Sequence, residues 1–544
     1  MQLRVRPPLR FLSLTLVLLL AGCATQPKDD APPAGGTLTI AQRDSFATFD
    51  PAFAWNPEDD PYLALLYEGL VAFDDSGRVR PACAFLPVVS PDGRTYRFKL
   101  RPNLTYADGA PVLAEDFAHG IRRLFRPGVL RSPGAPQFAA LSGALTQGTR
   151  NAPPLGVEAT SKEELVLRLA WPDPHLLERL AQPRYAIPVP ESAAARLGPS
   201  YGAFPRTNGA YRIERVGRDT LLFLRNPGYA SGLEDPLAAR AQRGYPDTIR
   251  VLTNRTARQT LLGLESGRVD LACPPPLEFA ERLGRSRRLA VVRAQGSPAL
   301  RWYLVMNCEL APVARRDARR AVAWGINRQR LVEELGSYAA PARSFAGDED
   351  AMGQAPGYDP VRARQFLEAA KYYTGIRIAV TVPRASALAL GLEALTPALA
   401  RGSIQVDAVA RSTADWSRAV IERRGAMAVM VPWRAPADDD LSGLSAMLLN
   451  RGMASGWGGN LGWYRSGPSL DSVLVRGLAN GDPVARRAAR DQLGTLLESD
   501  VPIVPLARIE ETAVLREGWT GAHFHPRGGL DLRRIHRGSA APTS

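Results

Sequence analysis

Short apolar runs that alternate with polar residues take turns along the chain with stretches whose apolar residues recur every three to four positions. From Thr37 onward this succession of strand and helix signals predicts an α/β protein. Strands are predicted at Thr37–Ala41, Tyr96–Leu100, Leu165–Leu169, Ala210–Ile213 and Thr220–Leu224. Helical spacing covers Tyr62–Leu70, with Leu63, Leu66, Tyr67 and Leu70 on one face, and Ala114–Leu124, entered from a Gly109-Ala-Pro111 turn. Arg316–Leu335 reads as one long amphipathic helix and Val361–Ala370 as another. A second α/β set follows, with a strand at Ile376–Val382, a helix near Leu388–Ala400, and strands at Ile404–Ala408 and Ala426–Val431. The helix Pro483–Leu497 precedes a closing strand at Ile503–Ala507. Pro127–Pro154 carries the Pro and Gly punctuation of a loop, and no internal repeat is visible.

The N-terminal segment has a different pattern. Arg4, Arg6 and Arg10 precede the apolar run Phe11–Ala21, the layout of a secretion signal over residues 1–22. The run falls short of the ~20 apolar residues a membrane-spanning helix needs. It ends in Leu20-Ala21-Gly22-Cys23, which resembles the bacterial lipobox, so Cys23 is the expected lipidation site. Residues 23–36, rich in Pro, Asp, Ala and Gly, then read as a flexible tether. Export and lipid anchoring on a membrane of the cell envelope, extracytoplasmic or periplasmic, are expected.

Composition narrows the function classes. Hydrophobic residues make up 45% of the 544 and charged residues 22%, ordinary globular values that exclude a disordered chain. The net charge of +14 would suit nucleic acid, but the bases are 64 arginines against four lysines, spread along the chain and interleaved with acids. A nucleic-acid binder concentrates them in a stripe, so no nucleic-acid partner is expected. Cys83, Cys273 and Cys308 form no C-x-x-C pair and allow at most one disulfide; they read as small buried residues. His523 and His525 alternate onto one strand face without a third ligand at suitable spacing, and read as part of a solvated loop. H-E-x-x-H, G-x-S-x-G and Walker motifs are absent, so neither catalytic residues nor a metal or cofactor is expected.

One set of ordered motifs adds a family resemblance. Phe49-Asp50-Pro51, Leu66-Tyr67-Glu68-Gly69-Leu70, Ser90 through Arg101 (SPDGRTYRFKLR), Tyr106 through Val112 (YADGAPV) and Ala114-Glu115-Asp116-Phe117 come first. Thr207-Asn208-Gly209-Ala210-Tyr211, Arg225 through Tyr229 (RNPGY), Glu265 through Asp270 (ESGRVD), Tyr358-Asp359-Pro360 and Asp500 through Pro505 (DVPIVP) follow. In this order they resemble the oligopeptide and dipeptide substrate-binding lipoproteins of ABC transporters, extracellular solute-binding protein family 5. Their residue types are those of turns and helix starts, so the motifs themselves read as scaffold.

The resemblance implies a two-lobed periplasmic-binding-protein fold of type II, in its large cluster, with an inserted subdomain in the first lobe. Lobe I would comprise residues 37–50, 189–300 and 501–537, with the subdomain at 51–188, lobe II at 301–500 and a tail at 538–544. It further implies capture of a peptide or peptide-like solute between the lobes, delivery to the permease and ATPase subunits of an ABC importer, and no chemistry. In peptide-binding members a tryptophan ends the strand that pairs with the ligand, and an aspartate three residues later meets the ligand's ammonium. Trp433 matches the tryptophan; position 436 is proline, and so is 432, which has no N–H to donate. Asp438, in an acidic run, either takes over the cationic role or caps a helix starting near Leu441. Tyr67, Glu68, Trp457, Asn460 and Tyr464 are the other candidate ligand residues. The two prolines also leave open a non-transporting sensor or envelope scaffold on the same fold.

Overall fold

The computed structural model describes residues 32–126, 132, 134–215, 219–229, 236–294, 300–346, 352–384, 386–422, 426–434, 440–449, 460–464, 468–480 and 482–538. Two mixed sheets organise them. The first runs in the order Leu289–Arg293, Thr512–Arg516, Leu271–Ala272, Thr37–Ala41, Thr248–Leu252, Thr220–Arg225, Tyr211–Arg215. Thr37–Ala41 pairs in parallel with both of its neighbours, and its Leu38 and Ile40 are fully buried. The second sheet runs Ala339–Pro341, Ile503–Ile509, Leu300–Met306, Ala428–Trp433, Ile376–Pro383, Ile404–Arg411. Each sheet has helices against it, which gives the two-lobed α/β fold the motifs implied. A separate four-stranded sheet, Val88–Val89, Thr95–Lys99, Glu164–Arg168 and Val157–Ala159, packs against the helix Ala114–Leu124.

The chain crosses between the two large sheets at two places that lie side by side. Strand Leu289–Arg293 of the first sheet leads to Leu300–Met306 of the second, and Ile503–Ile509 of the second leads back to Thr512–Arg516 of the first. The crossings are tied together by the Ala294 N–H, which donates to the Glu511 carbonyl at 2.9 Å, and by an Arg293–Glu510 ion pair at 3.0 Å. Only about two residues, Glu510 and Glu511, separate the sheets on the return, so a small backbone rotation there moves one lobe against the other.

The motif residues turn out to join segments distant in sequence. The Asn208 side chain accepts the Glu68 N–H at 3.2 Å and donates to the Glu68 carbonyl at 2.8 Å. A Cβ on Gly209 would lie 2.5 Å from the Leu65 carbonyl oxygen, so glycine lets that loop close on the end of the helix Asp60–Leu66. The Asn226 amide donates to the Gly209 carbonyl at 2.9 Å, and the Tyr229 hydroxyl to Glu68 Oε1 at 2.9 Å. Asp270 accepts the Thr39 N–H at 2.9 Å and the Trp519 indole N–H at 2.8 Å, while Asp359 caps the helix Pro360–Ala369.

Two helix expectations need correction. The stretch 316–335 is two helices, Arg316–Gly325 and Arg328–Leu335. Ile326 is extended but buried, which keeps the apolar period running through the break, and the Asn327 side chain caps the second helix by accepting the Arg330 N–H at 3.0 Å. The helix expected over Tyr62–Leu70 ends at Leu66, because Tyr67 turns extended and Glu68 joins the Asn208 bonds. Among the described residues no helix is long and apolar enough to cross a membrane, and no group of three or more His, Cys, Asp or Glu could hold a metal ion. Cys83, Cys273 and Cys308 are all free thiols.

Candidate functional site

Trp433 ends the strand Ala428–Trp433, whose six residues are all buried. One edge of the strand pairs along its whole length with Leu300–Met306, Trp433 opposite Arg301. On the other edge, Ile376–Pro383 pairs only with Ala428 and Val429, so residues 430–433 run on past that neighbour. The Trp416 indole covers part of this edge by donating to the Met430 carbonyl at 3.1 Å. Pro432 sits opposite Trp302 within the paired stretch.

From the end of this strand the second lobe meets the first. The Trp433 ring lies 5.9 Å from the ring of Trp55, tilted by 47°. Both indoles are 3% exposed, and among the described residues neither buried Nε1–H has an acceptor. An unpaired buried donor carries a desolvation cost of about 1–3 kcal/mol, so two in one seam mark a place where polar atoms of another molecule would be welcome. Arg434 crosses the seam: its Nη1 donates to Asp60 Oδ2 at 2.9 Å, and its Nη2 lies 2.5 Å from Glu511 Oε1 at the crossing segment. Asp60 also holds Arg184, whose Nε donates to Oδ1 at 2.7 Å. A Cβ on Gly528 would come within 2.3 Å of Arg434 Nε, and Gly528 has φ +98°, so glycine is required there twice over.

Several carboxyl groups lie around this latch. Among the described residues, Glu511 Oε2 is buried with no hydrogen-bond partner. Burial pushes the Glu58 carboxyl up to about 7; Asn56 and Arg43 oppose the shift, Asp44 and Glu511 add to it. Asp59 is raised well above the carboxylate range by burial and then by Glu58 and Asp60. Asp44 is raised by burial, with the Thr413 hydroxyl, the Ser45 N–H and Arg384 pulling the other way. Arg43 is already engaged by Glu278 at 2.5 Å. Thr413 opens the helix Thr413–Glu422 and Arg384 directly follows the strand Ile376–Pro383, so Asp44 of the first lobe faces groups of the second.

Of the residues singled out from sequence, Trp433 is the one at this seam. Tyr67 and Glu68 line a cavity of about 110 Å³ in the first lobe, which borders the latch through Asp60 and Gly528 and is lined by neither tryptophan. Both are committed to the protein: the Tyr67 hydroxyl donates to the Phe49 carbonyl at 2.7 Å, and Glu68 Oε2 faces Arg101 at 3.5 Å while Oε1 takes Tyr229. Burial raises the Glu68 carboxyl, against the pull of Arg101, Arg80, Tyr229 and Arg533. Asn460 and Tyr464 bond each other, with Asn460 Nδ2 donating to the Tyr464 carbonyl at 2.8 Å and the Tyr464 N–H to Asn460 Oδ1 at 2.9 Å. The Tyr464 hydroxyl reaches Asp500, and Gly462 packs on the Met306 carbonyl, at the end of Leu300–Met306 remote from Arg301 and Trp433. Asp438, Trp457 and Cys23 lie outside the described residues. Sequence reading missed Asp44, Trp55, Glu58, Asp60 and Glu511 altogether; the nearest signal was the position of Glu511 just beyond the closing strand.

Comparison with known proteins agrees with this architecture. The model for bacterial extracellular solute-binding proteins, family 5 Middle, matches residues 78–455. The glutathione-binding protein GsiB of Salmonella typhi is 26% identical over 347 residues, 62% of this chain and 62% of that protein. The GsiB of Escherichia coli strain K12 is 25% identical over 366 residues, 66% of this chain and 64% of that one. The chain thus spans somewhat under two thirds of the length of these curated relatives. Among solved structures, the binding protein AgaA from A. tumefacien R10, in complex with agropinic acid, superposes with a TM-score of 0.79 at 18% identity, covering 93% of this chain and 99% of that one. The murein tripeptide binding protein MppA of Escherichia coli gives 0.79 at 21% identity, with 93% and 99% covered. At these identities the two structures establish the fold.

Proposed function

The chain belongs to the bacterial extracellular solute-binding proteins of family 5, and from that premise we propose that it is the substrate-binding lipoprotein of an ABC importer. It captures a peptide or peptide-like solute between its lobes and hands it to the membrane permease, which an ATPase subunit drives. Cys23 anchors it by lipid on the extracytoplasmic side, after removal of residues 1–22. Residues 37–50, 189–294 and 512–537 form lobe I around the inserted 51–188, and 300–509 form lobe II, because the strand Ile503–Ile509, expected in lobe I from sequence, pairs within the second sheet. No chemistry is done on the solute. The observation that carries the reading is the seam itself: the buried indole N–H groups of Trp55 and Trp433 and the Glu511 oxygen near Arg434, none with a hydrogen-bond partner among the described residues. The indoles offer donors to the solute's carbonyl groups. The acids Asp44, Glu58 and Glu511 offer a counter-charge to its ammonium, the role for which position 436 has no carboxylate. Two relatives named for peptide ligands, glutathione and a murein tripeptide, support that solute class.

Native mass spectrometry of the mature protein tests this reading. Co-purifying masses of short peptides, lost on partial unfolding, are expected. A bare protein whose melting temperature is also unmoved by trialanine would overturn it. The ammonium role has its own readout. An ammonium beside Glu58 favours the ionised carboxyl, so trialanine should bind more tightly as the pH rises from 5.5 to 7, while N-acetyl-trialanine should show no such trend. The competing reading, a sensor or envelope scaffold, is favoured by Pro432, which withholds one N–H from main-chain pairing along the strand.

A further inference from the structure

The cavity of the first lobe borders the latch through Asp60 and Gly528, but neither Trp55 nor Trp433 lines it. Its lining combines apolar residues, Val71, Ala72 and Phe73 among them, with the polar Glu68, Arg80 and Asp531. Its volume of about 110 Å³ far exceeds the 10–15 Å³ that one water requires on the same measure. The acids that line it are spoken for: Asp60 is held by Arg184 and Arg434. Asp531 sits in the fork of Arg533, with Nε to Oδ1 at 2.8 Å and Nη2 to Oδ2 at 3.0 Å. Glu68 is shared between Tyr229 and Arg101.

Arg80 is different. Among the described residues its guanidinium bonds only neutral carbonyls, Phe73 O at 3.2 Å and Pro81 O at 2.8 Å, and no carboxylate lies within ion-pair distance. Its surroundings are Glu68 and Tyr229 on the favourable side, Arg533 and Arg101 on the unfavourable. Of the other charged lining residues, Arg527 pairs with Glu178 and Arg533 with Asp531, so among the described residues Arg80 is the lining cation left without a carboxylate of its own. A mostly buried cation without a counter-ion is costly, and a planar guanidinium fork matches a carboxylate. We propose that this cavity is a second ligand site, for one short aliphatic monocarboxylate, with the carboxylate on Arg80 and the alkyl chain against Val71, Ala72 and Phe73. One negative charge neutralises Arg80, and the apolar lining favours a carboxylate with a short chain over an inorganic oxyanion. The Gln242 amide, whose Nε2 donates to the Tyr229 hydroxyl at 3.3 Å, also lines the cavity.

The test is the melting temperature of the mature protein in sodium butyrate, butyramide or sodium phosphate, with sodium chloride holding ionic strength constant. Butyrate is expected to raise it in a saturable way, and butyramide, the uncharged isostere, to leave it unmoved. Arg80→Gln should weaken the apparent butyrate affinity about tenfold or more, the loss of one charge-assisted contact. Ala64→Leu, which fills the space without touching the charges, should abolish the response even if Arg80→Gln fails to fold. A cooperative urea transition with unchanged far-ultraviolet circular dichroism is the check that each variant is folded, and it does not depend on a ligand at the seam. Equal shifts with butyrate and butyramide, a butyrate response that survives in both variants, or a phosphate response as strong as that of butyrate would each overturn the assignment.

Discussion

Trp433 and Glu58 carry opposite kinds of information about the seam. Trp433 is an apolar surface with one unpaired donor, so its truncation acts on packing and on ligand at once. Trp433→Ala should cost about 3–5 kcal/mol of stability, as for large aromatic truncations in cores. It should also weaken trialanine binding about thirtyfold, the scale of a buried aromatic contact worth roughly 2 kcal/mol. Trp433→Phe keeps the stack on Trp55 and should recover most of the stability but not the donor, so calorimetric titration beside urea unfolding separates the two roles. Glu58 acts through its proton. Its folded value lies near 7 against an ordinary 4.5, so the folded chain holds a proton that the unfolded chain releases between those values. The wild type therefore loses stability as pH climbs from about 4.5 to 7 and levels off above. Glu58→Gln removes that dependence, and its stability relative to wild type should rise across the same window. The environment that sets the window is Asn56, Arg43, Asp44, Asp59 and Glu511. A difference between the two proteins that stays flat from pH 4.5 to 7.5 in urea titrations would show that Glu58 titrates as in water.

At the scale of elements, the motifs turn out to be joints. Tyr67-Glu68-Gly69, Asn208-Gly209 and Asn226 through Tyr229 meet at one point, and Gly209 sits where any side chain would strike the backbone of residues 65–67. Gly209→Ala should therefore destabilise by about 1–3 kcal/mol through overpacking, measurable as a lowered urea midpoint with an unchanged slope. These joints were legible in the sequence because turn, cap and glycine chemistry is local: Asp359 before Pro360 announces its helix with no knowledge of the fold. The break at Ile326-Asn327 was hidden because buried apolar residues keep the helical period across it. The seam was hidden for a different reason. Asp44, Glu58, Thr413, Arg434 and Glu511 come from segments scattered over most of the chain, and no spacing rule connects them; only the resemblance pointed to Trp433. Glu68, conspicuous in sequence, proved to be bonded on every side.

For the whole molecule, what matters is how the lobes are held against each other. The connection is thin, two crossings side by side with Glu510 and Glu511 as the return, so little in the hinge itself resists opening. Across the seam, Arg434 of the second lobe grips Asp60 of the first and Glu511 of the crossing. Its side chain is 5% exposed, which makes this a buried latch and not a surface pair. Removing one partner of such a group typically costs about 3–5 kcal/mol, because the remaining charges are left in low dielectric. Here opening offers an escape: once the lobes part, water can reach Glu511 and Asp60, and Asp60 keeps Arg184. Arg434→Met should thus shift the unliganded protein toward the open form more than it unfolds it, seen as a larger radius of gyration in solution scattering. Saturating trialanine should close it again. Adding Glu511→Gln to Arg434→Met removes the stranded charge and should return the radius most of the way to wild type without ligand. A single variant with an unchanged radius would mean that the lobes are held by the Trp55–Trp433 contact instead, and that Arg434 serves only to neutralise the acids beside it.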